Sequence, residues 1–258
     1  MGQVVAAIRR DLVESVAVVD EILVVDDGST DETAAVATAA GASVLSSGSV
    51  LPEYGGHGKG QAMWRGVHAT SGDIVVFCDA DIRDFDPTFV LGLAGPLLTR
   101  DEVTFVKGFY ERPVEGRPGE GGRVTELMAR PVIATLFPHL SDLAQPLSGE
   151  CASRREILES LPFVGGYGVD LALLIDVTAR FGNAGLVQSD LGVRIHRNRS
   201  LTELGAQAAS ILQAALIRSG AVDVPESFPL LRPGVDALSV DFTEMPPLAE
   251  VPSNRKTA

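Results

Sequence analysis

The chain has 258 residues, enough for one large domain or one domain with an appendage, and its 45% hydrophobic, 21% charged composition allows a full buried core. With 21 Lys and Arg against 34 Asp and Glu, the net charge is −13, which excludes sequence-independent nucleic-acid binding. No apolar stretch has the length of a membrane span and the N-terminus lacks a signal-peptide pattern. Cys78 and Cys151 form no Cys-x-x-Cys motif, so a cytoplasmic protein with reduced thiols is expected.

Apolar residues at 4–16 recur at helical spacing and predict an opening helix. Residues 21–27 (EILVVDD) predict a buried strand ending in aspartates. Ser29 and Glu32 are spaced as a capping box for a helix running to about residue 40. A short strand is expected at 42–45, a glycine-rich loop at 55–60, and a helix at 61–70. Residues 74–81 (IVVFCDAD), apolar on both faces, predict a strand of a parallel sheet. Asp86 and Pro87 look like an N-cap and first helical residue, with the helix running to 98, and 103–110 is another strand. Alternating strands and helices imply an α/β fold with a mostly parallel, Rossmann-like sheet.

Beyond this point the pattern loosens. Residues 112–122, rich in glycine, proline and charge, read as a mobile loop, followed by helices at 123–137, 154–161, 169–181 and 201–218. The first 220 residues are expected to form one domain, regular over 1–110 and helical over 111–220. Residues 221–258 form an extension, disordered from about 244.

Asp79 and Asp81 carry the clearest chemistry. Carboxylates two residues apart on an extended chain point the same way, at the carboxyl edge of the sheet where ligands bind. They suit a divalent cation and its phosphates, or, more simply, a polar strand end capping the next helix. Asp26 and Asp27 end the earlier strand, where a nucleotide base or ribose could lie, or serve only as turn residues before Gly28. Lys59 sits among glycines that allow close backbone approach, and its ammonium can neutralise a pyrophosphate, although no Walker pattern is present. Gly122, Arg123 and Thr125 open a helix, where free amides, a guanidinium and a hydroxyl suit an anion. Asp170 begins an apolar helix, where it would at least favour the dipole.

The segments VVDDGSTDET, GKGQAMWRG, TSGDIVVFCDADI, GGRVTELMARP, QPLSGE, LPFVGGYGVDLALLID and LGVRIHRNR carry a specific likeness. The sequence resembles the GT-A glycosyltransferases and, within them, is similar to the glucosyl-3-phosphoglycerate synthases. The resemblance implies metal-dependent, retaining transfer of glucose from an NDP-sugar, UDP-glucose foremost, to the 2-hydroxyl of 3-phosphoglycerate. Asp81 and His196 would hold Mg2+ or Mn2+. Asp26, Asp27, Lys59, Asp79 and Arg194 would bind the donor. Gly122, Arg123, Thr125 and Asn198 would take the acceptor's phosphate and carboxylate. Asp170, where the resembled enzymes commonly carry Glu, would stand near the acceptor hydroxyl.

The alternatives are a related transferase using GDP-mannose and a non-catalytic subunit. The resembled family begins with a strand like Val-Ile-Pro-Ala-Leu-Asn-Glu-Glu that carries the base. This sequence opens inside the following helix, so a late start or truncation, with weak donor binding, is expected. The apolar helix at 201–218 would pack either in the core or against a second copy, as a homodimer.

Overall fold

A computed structural model describes residues 1–82, 85–111, 122–193 and 200–252. The fold is α/β, but its strands fall into separate sheets. β1 (Leu23–Asp26) pairs in parallel with β2 (Ser43–Ser46). A second, mixed sheet has the order β3-β5-β4-β7. In it β4 (Phe105–Glu111) and β7 (Leu186–Val193) run parallel, and β5 (Cys151–Arg154) runs antiparallel to β3 (Ile74–Phe77) and β4. The strand expected at 74–81 is therefore shorter, and its one pairing among the described residues is antiparallel. Its four apolar residues are only half-buried, as an edge position dictates.

The first helix, α1 (Gly2–Ile8), continues as a π-helical stretch over Arg9–Ser15 and spans both sheets. Val5 packs with Val24, Ala37 and Ala42, whereas Val4, Ile8 and Leu12 join Ile74, Val76, Phe89 and Val90. The Glu21 carboxylate accepts hydrogen bonds from the Ser71 and Gly72 amides at 2.6 and 3.2 Å, tying the approach to β1 to that of β3. The expected capping box does not form. The Ser29 amide donates to Asp26 Oδ1 at 2.9 Å, and the Thr33 amide to Asp31 Oδ1, so α2 spans Thr33–Ala39. An Asp-centred turn has taken the amide that a helix start at Ser29 would use. Asp86 Oδ1 accepts from the Thr88 amide at 2.8 Å, but α4 (Thr88–Thr99) starts one residue later than expected, with Pro87 as its N-cap.

On the other face of the second sheet lie α3 (Lys59–Ala69) and α7 (Val169–Phe181), whose Met63, Trp64, Val67, Leu171 and Leu174 join Phe105 and Phe163 in the largest core. A π-helical turn at Thr125–Ala129 leads into α5 (Arg130–Leu136), and α6 (Arg155–Glu159) and β6 (Phe163–Val164) precede α7. The long helix α8 (Leu201–Ser219) has a true capping box from Ser200 and Glu203 and packs on α7.

The stretch from 244, expected to be disordered, is ordered through residue 252. After the hairpin of β8 (Ser227–Arg232) and β9 (Val235–Asp241), β10 (Glu244–Met245) pairs antiparallel with β6. Met245, Leu248 and Val251 recur every third residue and are buried in the main core. The Trp64 indole donates to the Pro246 carbonyl at 2.8 Å, and Arg218 bridges Asp176 and Glu244. Prolines gave the segment a loop-like composition, but its spaced apolar residues have a core to enter. Met245→Ala should cost about 2–5 kcal/mol in denaturant unfolding, the usual loss for a buried methionine. An unchanged midpoint would contradict the packing of this segment.

Candidate active site

The ordered centre of the site is Lys59. Its ammonium lies 2.9 Å from both Asp170 oxygens and 3.7 Å from Asp79 Oδ1. Three pieces of chain meet to make this cluster: the start of α3, the start of α7, and the turn just beyond β3. The approach of α3 depends on Gly60, where a Cβ would collide with the Val164 carbonyl. Gly149 plays the same part for Asp79, since a side chain there would occupy the space of its carboxylate.

Asp170 is 4% exposed, in the first turn of α7 after the glycines at 165, 166 and 168. The Gln61 side chain fixes this approach, accepting from the Gly166 amide and donating to Thr243 Oγ1, both at 3.0 Å. Burial works to lower the Lys59 pKa, but Asp170 and Asp79 outweigh it and hold the ammonium well above its ordinary value. Cys151 lies beneath the cluster, and burial pushes its thiol up to about 11.

Next to the cluster, Asp27 Oδ2 accepts from the Gly58 amide at 2.6 Å, joining the end of β1 to the glycine loop. Asp26 is turned toward Ser29, whose hydrogen bonds lower its pKa from the usual carboxylate range. Asp81 is exposed at the same edge as Asp79. These hard carboxylate oxygens suit a divalent cation in donor chemistry. Among the described residues, no group of three or more His, Cys, Asp or Glu side chains could hold a metal. The described protein atoms therefore offer only part of such an ion's shell.

At the helix start that leads into α5, Gly122 adopts a left-handed φ of +81°, and its carbonyl accepts from the Glu126 amide. Thr125 is buried, and Arg123 is exposed on the same turn. Arg130 anchors this turn through Glu126 and the carbonyls of Leu143 and Ala144. The turn and the 166–168 segment before Asp170 both pack against α8, which forms a common wall.

The structure thus brings Lys59, Asp79 and Asp170 into contact, and joins Asp27 to their loop. Gly122, Arg123 and Thr125 form a separate helix start. Arg194, His196 and Asn198 lie outside the described residues. Four buried polar residues around the site escaped sequence reading: Gln61, Arg65, Lys107 and Glu150. Gln61 and Arg65 stand four residues apart on α3, a polar pair in an otherwise apolar stripe, which was the available signal.

Fold and site together define a glycosyltransferase of the GT-A type. Residues 7–159 match the family described as Glycosyl transferase family 2. The glucosyl-3-phosphoglycerate synthase of Petrotoga mobilis is 46% identical over 223 residues, which are 84% of this chain and 69% of the relative. That of Mycolicibacterium smegmatis is 51% identical over 210 residues, 80% of this chain and 69% of the relative. A crystal structure of the Mycobacterium tuberculosis glucosyl-3-phosphoglycerate synthase, in complex with Mn2+, UDP-glucose and phosphoglyceric acid, superposes with a TM-score of 0.85 at 44% identity. That match covers 95% of this chain and 85% of the other. The chain belongs to glycosyl transferase family 2 and, within it, to the glucosyl-3-phosphoglycerate synthases.

With its thiol raised to about 11 and buried, Cys151 should resist alkylation by iodoacetamide at pH 8 in the folded protein and react on unfolding. Mass spectrometry of the modified peptide reads this directly. Labelling of folded protein at the rate of a free thiol would contradict the packing beneath Lys59.

Proposed function

We propose that this protein transfers glucose from UDP-glucose to the 2-hydroxyl of 3-phosphoglycerate, with retention at the anomeric carbon. The observation that carries the reading is the half-buried Lys59 ammonium held between Asp79 and the buried Asp170. It stands where the ends of β1 and β3 meet the start of α7. The two synthase relatives and the ternary crystal structure supply the substrates by likeness.

In this reading Asp26 and Asp27 face the nucleoside, and Asp79 faces the ribose. Lys59 and Arg194 face the diphosphate. Asp81, with His196, would hold Mg2+ or Mn2+ there, and the ion would draw negative charge off the leaving diphosphate. The Gly122 amide, Arg123, Thr125 and Asn198 hold the acceptor's phosphate and carboxylate, because amides at a helix start and a guanidinium fork favour anions. Asp170 orients the acceptor hydroxyl against the sugar.

The hydroxyl attacks the anomeric carbon from the face that the diphosphate leaves. The new carbon–oxygen bond forms as the bond to the diphosphate breaks, and the hydroxyl proton passes to the departing phosphate oxygen. Lys59 stabilises the charge gathering on that phosphate. Its existing ion pairs fix the ammonium in place before the donor arrives, so little reorganisation accompanies the step.

A cytoplasmic location agrees with the two free cysteines. No helix among the described residues is long and apolar enough to cross a membrane. In a homodimer, the outer side of α8, where Leu201 is exposed, is the surface offered to a second copy.

UDP release should require both 3-phosphoglycerate and a divalent cation. Arg123→Ala should raise KM for 3-phosphoglycerate by about tenfold or more and leave KM for UDP-glucose nearly unchanged. Asp170→Asn should lower kcat by about a hundredfold. Metal-independent release, or release indifferent to the acceptor, would overturn the assignment.

A further inference from the structure

Arg65 is fully buried on α3, six residues beyond Lys59. Its guanidinium makes four hydrogen bonds, all to neutral groups. Nε donates to the Val50 carbonyl at 3.0 Å, and Nη2 donates to the Gly55 carbonyl at 2.6 Å. Nη1 donates to Ser47 Oγ at 2.9 Å and to the Gly56 carbonyl at 3.1 Å. Among the described residues no carboxylate pairs with it. A buried cation without a counter-ion costs several kcal/mol in lost hydration, and an apolar side chain would fill the same space more cheaply. The geometry of its acceptors indicates what the charge is for.

All four acceptors lie between residues 47 and 56, the connection from β2 to the glycine loop. This segment takes left-handed conformations at Leu51 (φ 47°), Gly55 (φ 55°) and Gly56 (φ 68°). A non-glycine residue such as Leu51 pays roughly 1–2 kcal/mol for that conformation. The segment holds two 3-10 turns, Ser47–Ser49 and Pro52–Tyr54, but the carbonyls of Val50, Gly55 and Gly56 lie outside them and need donors from elsewhere. One planar guanidinium reaches three of them at once, which a lysine ammonium on a flexible stem cannot do. Two residues past Gly56, the Gly58 amide meets Asp27, and the next residue is Lys59.

We infer that Arg65 is a positioning residue for the donor site, holding the 47–56 segment so that Gly58 stays tied to Asp27 and Lys59 meets the donor diphosphate. The inference rests on the functional reading above. It assigns Arg65 no contact with substrate, only control of the loop that makes the contact. Gln61, one turn earlier on the same helix, lies against Gly56 and Gly58 but spends its hydrogen bonds on Gly166 and Thr243.

The test compares wild-type protein with Arg65→Ala and Arg65→Lys, using UDP binding by calorimetry in the presence of Mn2+ and steady-state kinetics. Arg65→Ala should raise the Kd for UDP and the KM for UDP-glucose by about tenfold or more, with KM for 3-phosphoglycerate within about twofold. Arg65→Lys should fall between, and millimolar methylguanidinium should restore part of the UDP affinity of Arg65→Ala. Should the alanine variant not fold, Arg65→Lys carries the test. Its amides at 55–58 should exchange faster than in wild type while those of β4 stay protected. Wild-type binding with unchanged UDP affinity in a folded variant overturns the role of Arg65 alone, and so does a parallel rise in both KM values. A wild-type protein that fails to bind UDP overturns the functional reading, and this inference with it.

Discussion

The ion cluster of Lys59 with Asp170 and Asp79 is the contact on which the site's geometry depends. An ammonium taken out of water is tolerable only when carboxylates surround it, and Asp170 is itself almost completely buried. Neither partner can leave without stranding the other. The start of α3, the start of α7 and the turn after β3 must therefore keep their mutual placement. The glycines at 60 and 149 permit the close approach, and Gln61 locks the turn before Asp170. The position of a cation fixed in this way is set before any ligand arrives.

Behind this cluster, the protein uses its C-terminal segment as a brace. The Thr243 carbonyl accepts from the Gly165 amide at 2.7 Å, its hydroxyl accepts from Gln61, and the Pro246 carbonyl accepts from Trp64. Those three contacts reach the two helix starts that carry Lys59 and Asp170. The segment therefore belongs to the scaffold of the site although it lies far from it in sequence. Arg65 braces the 47–56 segment in a comparable way, through three loop carbonyls and the Ser47 hydroxyl.

Much of the first half was legible in the sequence because its signals are local. Alternating apolar runs and glycine punctuation placed β1, α3 and α4 to within a few residues. Asp79 and Lys59 stood out as charges beside a strand end and among glycines. The antiparallel β5, with its short and mixed sequence Cys-Ala-Ser-Arg, had no local signal. Its identity as a strand comes from non-local pairing with β3 and β4. The capping box failed because Asp26 competed for the Ser29 amide, and the ordering of 244–252 depends on a distant core. That Lys59 would bind Asp170 was also beyond local reading, since 111 residues separate them.

The most direct test of the central ion pair is a double-mutant cycle in equilibrium unfolding, with Lys59→Met, Asp170→Leu and the double variant. Lys59→Met should destabilise by about 3–5 kcal/mol, because it leaves the buried Asp170 carboxylate unpaired, and Asp170→Leu by less, because Lys59 is partly exposed and keeps Asp79 beside it. The double variant should lose less than the sum of the two, with a coupling of about 1–3 kcal/mol. Additive losses would contradict the account, because they would mean that the two side chains do not depend on each other in the folded protein.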